Sequence, residues 1–324
     1  MNNFWKNKKV LVTGGTGFIG RHLTEELFTS GAQVTIPTSR PSAGNRPCNF
    51  LISRANLIQA DLTQNQDAKN AIQGQQIVIH LAANIGGVEY NMSHPASIFQ
   101  TNMRMFMNII EASHEEGIDR VLVVSTACIY PRLCTIPTPE SEGFLGVPEP
   151  VHAGHGWAKR MEEFLASAYH EEFGMKVGIA RLFNVYGPGD HFGLASAGVI
   201  PSLIQKVFEA ETELTVWGDG SQSRSFLYVK DCVRGLMSVC ENYSMNDALN
   251  LGADEETQMG DLARTIIKLC QKNLTLHFDT SKPSGQPRRH CDTKKAFEKI
   301  GFQTQYSLEA GLTETIQWYK ENLL

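Results

Sequence analysis

The 324-residue chain lacks the marks of several protein classes. No apolar run reaches the 18 or so residues that a membrane span needs. There is no Cys-x-x-Cys pair. The seven cysteines (Cys48, Cys128, Cys134, Cys232, Cys240, Cys270 and Cys291) are odd in number and scattered, which argues against both a disulfide framework and a zinc site. No metal is therefore expected. A basic stripe is also missing, and the formal net charge is −5, so nucleic acid is not an expected partner. Met1 to Lys9 carries no apolar signal core and runs straight into a strand-like segment, so a cytoplasmic, soluble protein is expected, with no membrane partner. Neither repeats nor low-complexity tracts occur.

What is present is alternation. Short runs rich in Val, Ile and Leu lie at Lys9–Thr13, Gln33–Ile36, Asn56–Ala60, Ile77–Leu81, Val121–Ser125 and Val177–Arg181. Runs of that kind suit strands buried on both faces of a parallel sheet. Between them, Ile19–Thr29, Ala96–Glu116 and Gly156–Phe173 repeat apolar residues at helical spacing. Strand–helix alternation predicts an α/β fold with a doubly wound parallel sheet, a Rossmann arrangement, over residues 1–186. From 187 to 324 glycine and proline clusters separate short strands from helices near 199–209, 258–271 and 307–321. This part reads as a smaller C-terminal α/β substrate lobe, with room for segments that return to the first domain.

The first strand runs into Gly14-Gly15-Thr16-Gly17-Phe18-Ile19-Gly20 and then an amphipathic helix. Gly14 and Gly17 allow a tight turn and a close approach to a pyrophosphate; Gly20 allows helix and strand to pack closely, and the helix N-terminus faces the phosphate charge. Thr16, Phe18 and Ile19 complete that lip. The next strand should end in the residue that reads the adenosine ribose, and here no carboxylate stands in Ile36-Pro37-Thr38-Ser39-Arg40. Thr38 and Ser39 can donate hydrogen bonds and Arg40 can pair with a 2′-phosphate, which favours NADP, with NAD as the alternative. Arg40 as a plain solvated charge remains the other reading.

Asp61-Leu62 after the third strand and Leu81-Ala82-Ala83 after the fourth complete the pattern. At these residues the chain resembles the extended short-chain dehydrogenase/reductase family of NAD(P)-dependent nucleotide-sugar epimerases and dehydratases. The resemblance implies that Asp61 and Leu62 line the adenine and that Ala82 and Ala83 border the cofactor. In that family a Ser or Thr at the end of the fifth strand joins a Tyr-x-x-x-Lys pair, stacked on one helix face by its spacing. Thr126 and Lys159 match, but His155 stands where the tyrosine belongs. An imidazole, with its reference pKa of about 6.5 against about 10 for a phenol, still moves protons near neutrality. Three readings are open: His155 is the working base, the role has passed to a residue such as Tyr130, or redox turnover is lost and a nucleotide-binding sensor or scaffold remains.

The resemblance spans essentially the whole chain and is nearest to GDP-L-fucose synthases and GDP-mannose 3,5-epimerases. It is carried by Ala82–Gly87, Ala127–Pro131, Asn184–Pro188, Val199–Pro201 and Val216–Phe226. It implies a nucleotide-sugar substrate, C4 redox chemistry coupled to C3/C5 epimerisation, and a homodimer. Cys128 matches a cysteine that moves protons on carbons beside a 4-keto group; without the resemblance it reads first as a small buried core residue. His191 is the candidate second acid/base group. Gly86 and Val199 should line the sugar nucleotide, and Asn184 and Arg224 with Arg288 or Arg289 should hold its diphosphate. Trp217 either stacks near the nucleobase or sits in the core. A 4-epimerase or a 4,6-dehydratase is the alternative activity; the Asp-Glu pair of dehydratases is replaced here by Ala127-Cys128.

Overall fold

The computed structural model describes residues 4–39, 54–193, 197–281 and 287–324. The first half runs β1 (Lys9–Thr13), α1 (Phe18–Thr29), β2 (Gln33–Thr38), β3 (Asn56–Gln59), α2 (Asn65–Ile72), β4 (Ile77–His80), α3 (Val88–Ser93), α4 (Pro95–Glu115), β5 (Arg120–Thr126), α5 (Ala153–Phe173) and β6 (Lys176–Leu182). The second half runs β7 (Val185–Tyr186), α6 (Val199–Glu209), β8 (Glu213–Trp217), β9 (Ser223–Ser225), β10 (Leu227–Tyr228), α7 (Val229–Asn242), β11 (Ala248–Leu251), β12 (Glu256–Gln258), α8 (Met259–Leu269), β13 (Thr275–Asp279), β14 (Arg288–Arg289), α9 (Lys294–Ile300) and α10 (Leu308–Leu323).

Seven parallel strands form one sheet in the order β3-β2-β1-β4-β5-β6-β11. The chain builds outward from β1 in one direction, then restarts at β4 on its other side. A crevice opens beyond the strand ends at such a reversal, where α/β sheets bind their ligands. The strand runs lack polar alternation because both faces are covered. Val10 and Val12 of β1 pack with Leu23 and Leu27 of α1 and Leu236 and Cys240 of α7, whereas Leu11 packs with Phe106, Ile109 and Ile110 of α4. On β4, Ile77 and Ile79 join the first cluster and Val78 the second.

A third cluster joins α6, α8 and α10 to β8 and β10 through residues such as Leu203, Leu214, Tyr228, Leu262 and Leu312. Phe18, at the start of α1, is buried in this cluster and so ties the glycine turn to the lobe. Arg21 and His22 bond the carbonyls of Gly189 and Pro188 at 3.1 and 2.8 Å. Past residue 187 the chain is not wholly in the lobe: α7 covers one sheet face and β11 supplies an edge strand. No helix of the described residues is long and apolar enough to cross a membrane.

Candidate active site

The predicted cofactor residues follow the C-terminal ends of four neighbouring strands. Gly14 follows β1 with φ +70°, and a Cβ there would lie 2.8 Å from the Ala82 backbone nitrogen, so only glycine lets the β1 and β4 loops meet this closely. Thr13 fastens the same point: its hydroxyl accepts from the Ala82 N–H at 3.1 Å and bonds the His80 ring at 3.0 Å. His80 is fully buried, and burial, then Lys159, holds it well below its usual pKa and therefore neutral. The start of α1 has neither a side-chain cap nor a carboxylate in its first turn, so its N–H groups and dipole face the crevice uncompensated. Those features fit a dinucleotide pyrophosphate.

Thr38 ends β2 half-buried and Ser39 follows it exposed; Arg40 lies outside the described residues. Asp61 is exposed after β3, where its carboxylate accepts from the Thr63 N–H and hydroxyl at 3.0 and 2.8 Å, and Leu62 beside it is buried. Leu81 and Ala82 are half-buried at the end of β4. Gly86 is pinned by the buried Asn91 amide, which bonds its N–H and its carbonyl at 3.1 and 2.7 Å.

Thr126 closes β5, and its hydroxyl oxygen accepts from the Cys128 N–H at 3.2 Å, which leaves its proton to donate elsewhere. Cys128 is buried in the short turn that follows. Helix α5 presses on that turn at Gly156, where a Cβ would stand 2.6 Å from the Cys128 carbonyl oxygen. The flanking His155 and, one turn on, Lys159 are both buried, at 5% and 2% exposure. Thr126, Cys128, His155 and Lys159 are thus assembled where β5 meets α5. The His155 ring has an unpartnered buried Nδ1, and burial, then Lys159 and His152, pulls its pKa down to about 3. The ring is therefore a neutral imidazole at physiological pH.

Tyr130 does not offer the alternative base. Its hydroxyl donates to Asn250 at 2.6 Å and accepts from Arg181 at 2.9 Å, and burial pushes its pKa upward. Arg181 in turn holds Glu163, so Tyr130 belongs to a packed network.

A cavity of about 590 Å³ reaches the start of α5 at His152, with a lining that includes Asn184, Val199, Trp217 and Arg224 but not Thr126, Cys128, His155 or Lys159. Trp217 is 56% exposed, which disposes of the core reading. Asn184 sits at φ +41° and its amide donates to the Ser225 carbonyl at 2.8 Å. The parallel register of β9 and β14 sets Arg289 opposite Arg224, and burial, then Arg289, pulls Arg224 down to about 10. Arg288 turns to Glu256 in a two-pronged pair at 2.7 and 2.6 Å. His191 is half-buried in the loop before α6, its Nδ1 3.4 Å from Asp190. Asp190 lines the cavity and His191 does not.

His152, Gln222 and Asp190 also line the cavity, and spacing alone singles out none of them. His152 has an unpartnered buried Nδ1 and is held below its usual pKa by burial and then Arg289. Its place three residues before His155 brings the cavity to the start of α5.

The sheet order, the glycine turn at the switch point and the paired cavity define a dinucleotide-binding α/β enzyme with a neighbouring ligand lobe. Residues 10–252 match the NAD dependent epimerase/dehydratase family, and the chain belongs to it. A dTDP-4-dehydro-6-deoxy-D-allose reductase of a Streptomyces species is 32% identical over 98% of this chain and 97% of its own length. The GDP-L-fucose synthase of Escherichia coli K12 is 30% identical over 97% of both chains. The structure of a GDP-L-fucose synthetase from Naegleria fowleri bound to NADP superposes with a TM-score of 0.83, at 26% identity, over 98% of this chain and 94% of that one.

Proposed function

We propose that the protein is an NADP-dependent epimerase/reductase of a 4-keto nucleotide hexose, with a GDP-sugar as the leading substrate. The observation that carries this reading is the contact at Gly156, which clamps His155 and Lys159 against the Thr126–Cys128 turn, with the cavity reaching the same end of α5 through His152. The lip from Gly14 to Ile19, Thr38, Ser39 and Arg40, Asp61–Leu62, Leu81–Ala83 and Lys159 would hold the dinucleotide. When bound, it supplies a hydride acceptor or donor for C4 of the sugar. The NADP-bound relative supports that choice, with NAD as the alternative.

Thr126 donates its hydroxyl hydrogen to the C4 oxygen. His155, as the neutral imidazole, takes the C4 hydroxyl proton in the oxidative direction; in the reductive direction it takes up one proton from solvent and, as the imidazolium, gives it to the C4 oxygen as the hydride arrives. Lys159 holds the cofactor ribose. The Cys128 thiol exchanges protons at C3 or C5, which a 4-keto group acidifies, with His191 as its partner. Asn184, Arg224 and Arg289 bind the diphosphate, and Trp217 stacks on the nucleobase. The exposed Met107 on α4 and Trp157 and Phe164 on α5 support a homodimer through those helices.

One observation favours a second reading, plain C4 reduction without inversion: the similarity to the dTDP-4-dehydro-6-deoxy-D-allose reductase. Incubation of the protein and NADPH with GDP-, dTDP- and UDP-linked 4-keto hexoses decides. Nicotinamide oxidation with a C3- or C5-inverted product supports the first reading, and oxidation without inversion the second. A protein inert to all of them that still binds NADPH is a sensor.

A further inference from the structure

We infer that Glu162 is the counter-charge that allows a histidine to serve at position 155: its carboxylate neutralises Lys159, so that the imidazolium formed on proton transfer does not face a bare ammonium. The inference rests on the assignment of His155 as the acid/base group. Glu162 reaches the reacting atoms only through Lys159 and is a positioning residue.

Residues 155, 159 and 162 are spaced four and three apart, which stacks them on one buried face of α5. Lys159 Nζ donates to Glu162 Oε2 at 2.7 Å, with the two side chains 3% and 0% exposed. The other carboxylate oxygen is buried with no hydrogen-bond partner. Such an atom is costly, and a buried ion pair is often no more stable than apolar side chains of the same size. The neighbouring carboxylate behaves differently. Glu163 gives both oxygens to Arg181 on β6, at 2.7 to 3.3 Å, and is accounted for by packing. Glu162 has no comparable structural duty.

The replacement at 155 reverses the electrostatic requirement. A tyrosine base works as an anion, which a bare ammonium stabilises. A histidine base is neutral and becomes a cation, which the same ammonium opposes. A carboxylate on the ammonium offsets part of that opposition. The groups around the face are few: His152 and Lys159 act on His155, His80 at the end of β4 is neutral, and Arg181 balances Glu163. Burial pushes Glu162 up to about 7 against the pull of Lys159. Its charge is present above about 7 and lost below, so turnover in the oxidative direction, from a C4 hydroxyl and the oxidised dinucleotide, should rise with pH through that value, and the variants are compared in that direction.

The test uses four full-length proteins: wild type, Glu162→Gln, His155→Tyr, and the double variant. Two turns of helix separate positions 155 and 162 by roughly 10 Å, and at an effective dielectric of about 20 one charge there shifts a pKa by about one unit. In the histidine background, Glu162→Gln should lower turnover about tenfold above pH 7 and abolish the rise through about 7. In the tyrosine background, the same substitution should leave turnover unchanged or raise it. It should also lower the pKa of the new phenol by about one unit, read from ultraviolet phenolate absorbance as a difference against His155→Phe. Equal losses in both backgrounds, or a phenol that does not move, overturn the inference. The phenol titration needs no substrate, so it stands even if no sugar nucleotide is turned over. If Glu162→Gln does not fold, Glu162→Asp withdraws the carboxylate by one methylene and should give the same signs at smaller size; losses of one sign in both backgrounds would again overturn it.

Discussion

In the proposed mechanism His155 carries the proton transfer, and its ring also records its own environment. In the folded protein its imidazole is pulled down to about 3, whereas in an unfolded chain it titrates near 6.5. Between those values the unfolded state binds the extra proton. The stability associated with the neutral ring is therefore complete above about 6.5 and is lost as pH falls toward 3. His155→Phe removes this group, so its melting temperature relative to wild type should be higher near pH 5 than above pH 7. An equal offset at both would show that the ring is not held neutral. For catalysis, His155→Phe should cost about 10²- to 10⁴-fold in kcat, the usual worth of a positioned acid/base group, and His155→Tyr should retain activity or raise it. Full activity in the phenylalanine variant would remove the histidine from the mechanism.

At the scale of elements, the site depends on how closely α5 approaches the end of β5. Gly156→Ala puts a methyl 2.6 Å from the Cys128 carbonyl oxygen. Overpacking of this kind costs about 1–3 kcal/mol, and it displaces His155 and Lys159 together. The expected result is a fall in kcat out of proportion to a modest loss of melting temperature, checked by steady-state kinetics and thermal melts on one preparation. Much of this was readable in advance. The strand run at Lys9–Thr13 is β1 to the residue, and helices near 199–209 and 307–321 occur as α6 and α10. Periodicity reports burial, and these elements are ordered by burial. The choice between Arg288 and Arg289 was not readable, because adjacent strand residues face opposite ways and only the pairing with Ser223 and Arg224 assigns the faces. Glu162 was hidden for a similar reason. A carboxylate three residues after a lysine is usually a solvated surface pair, and only packing buries this one.

At the scale of the molecule, one sheet edge collects the glycine turn, the Thr126 turn and the face of α5, while the lobe walls a cavity beside them. The lobe does not hang from a linker. Phe18 is packed into its core, and Arg21 and His22 hold its first loop, so the two halves should unfold together. Trp157 and Phe164, two turns apart on α5, are 39% and 62% exposed. If α4 and α5 form the proposed dimer face, the wild type sediments as a dimer and Phe164→Glu as a monomer; a monomeric wild type would refute it. The central claim is that a nicotinamide and a sugar C4 meet at position 155. It is tested most directly by supplying NADPH deuterated at the transferable position together with a 4-keto nucleotide hexose, and locating the label by mass spectrometry. The account predicts deuterium on C4 of the product, appearing about 10²- to 10⁴-fold more slowly in His155→Phe. NADPH held firmly with no label passing to any sugar of the panel would contradict it.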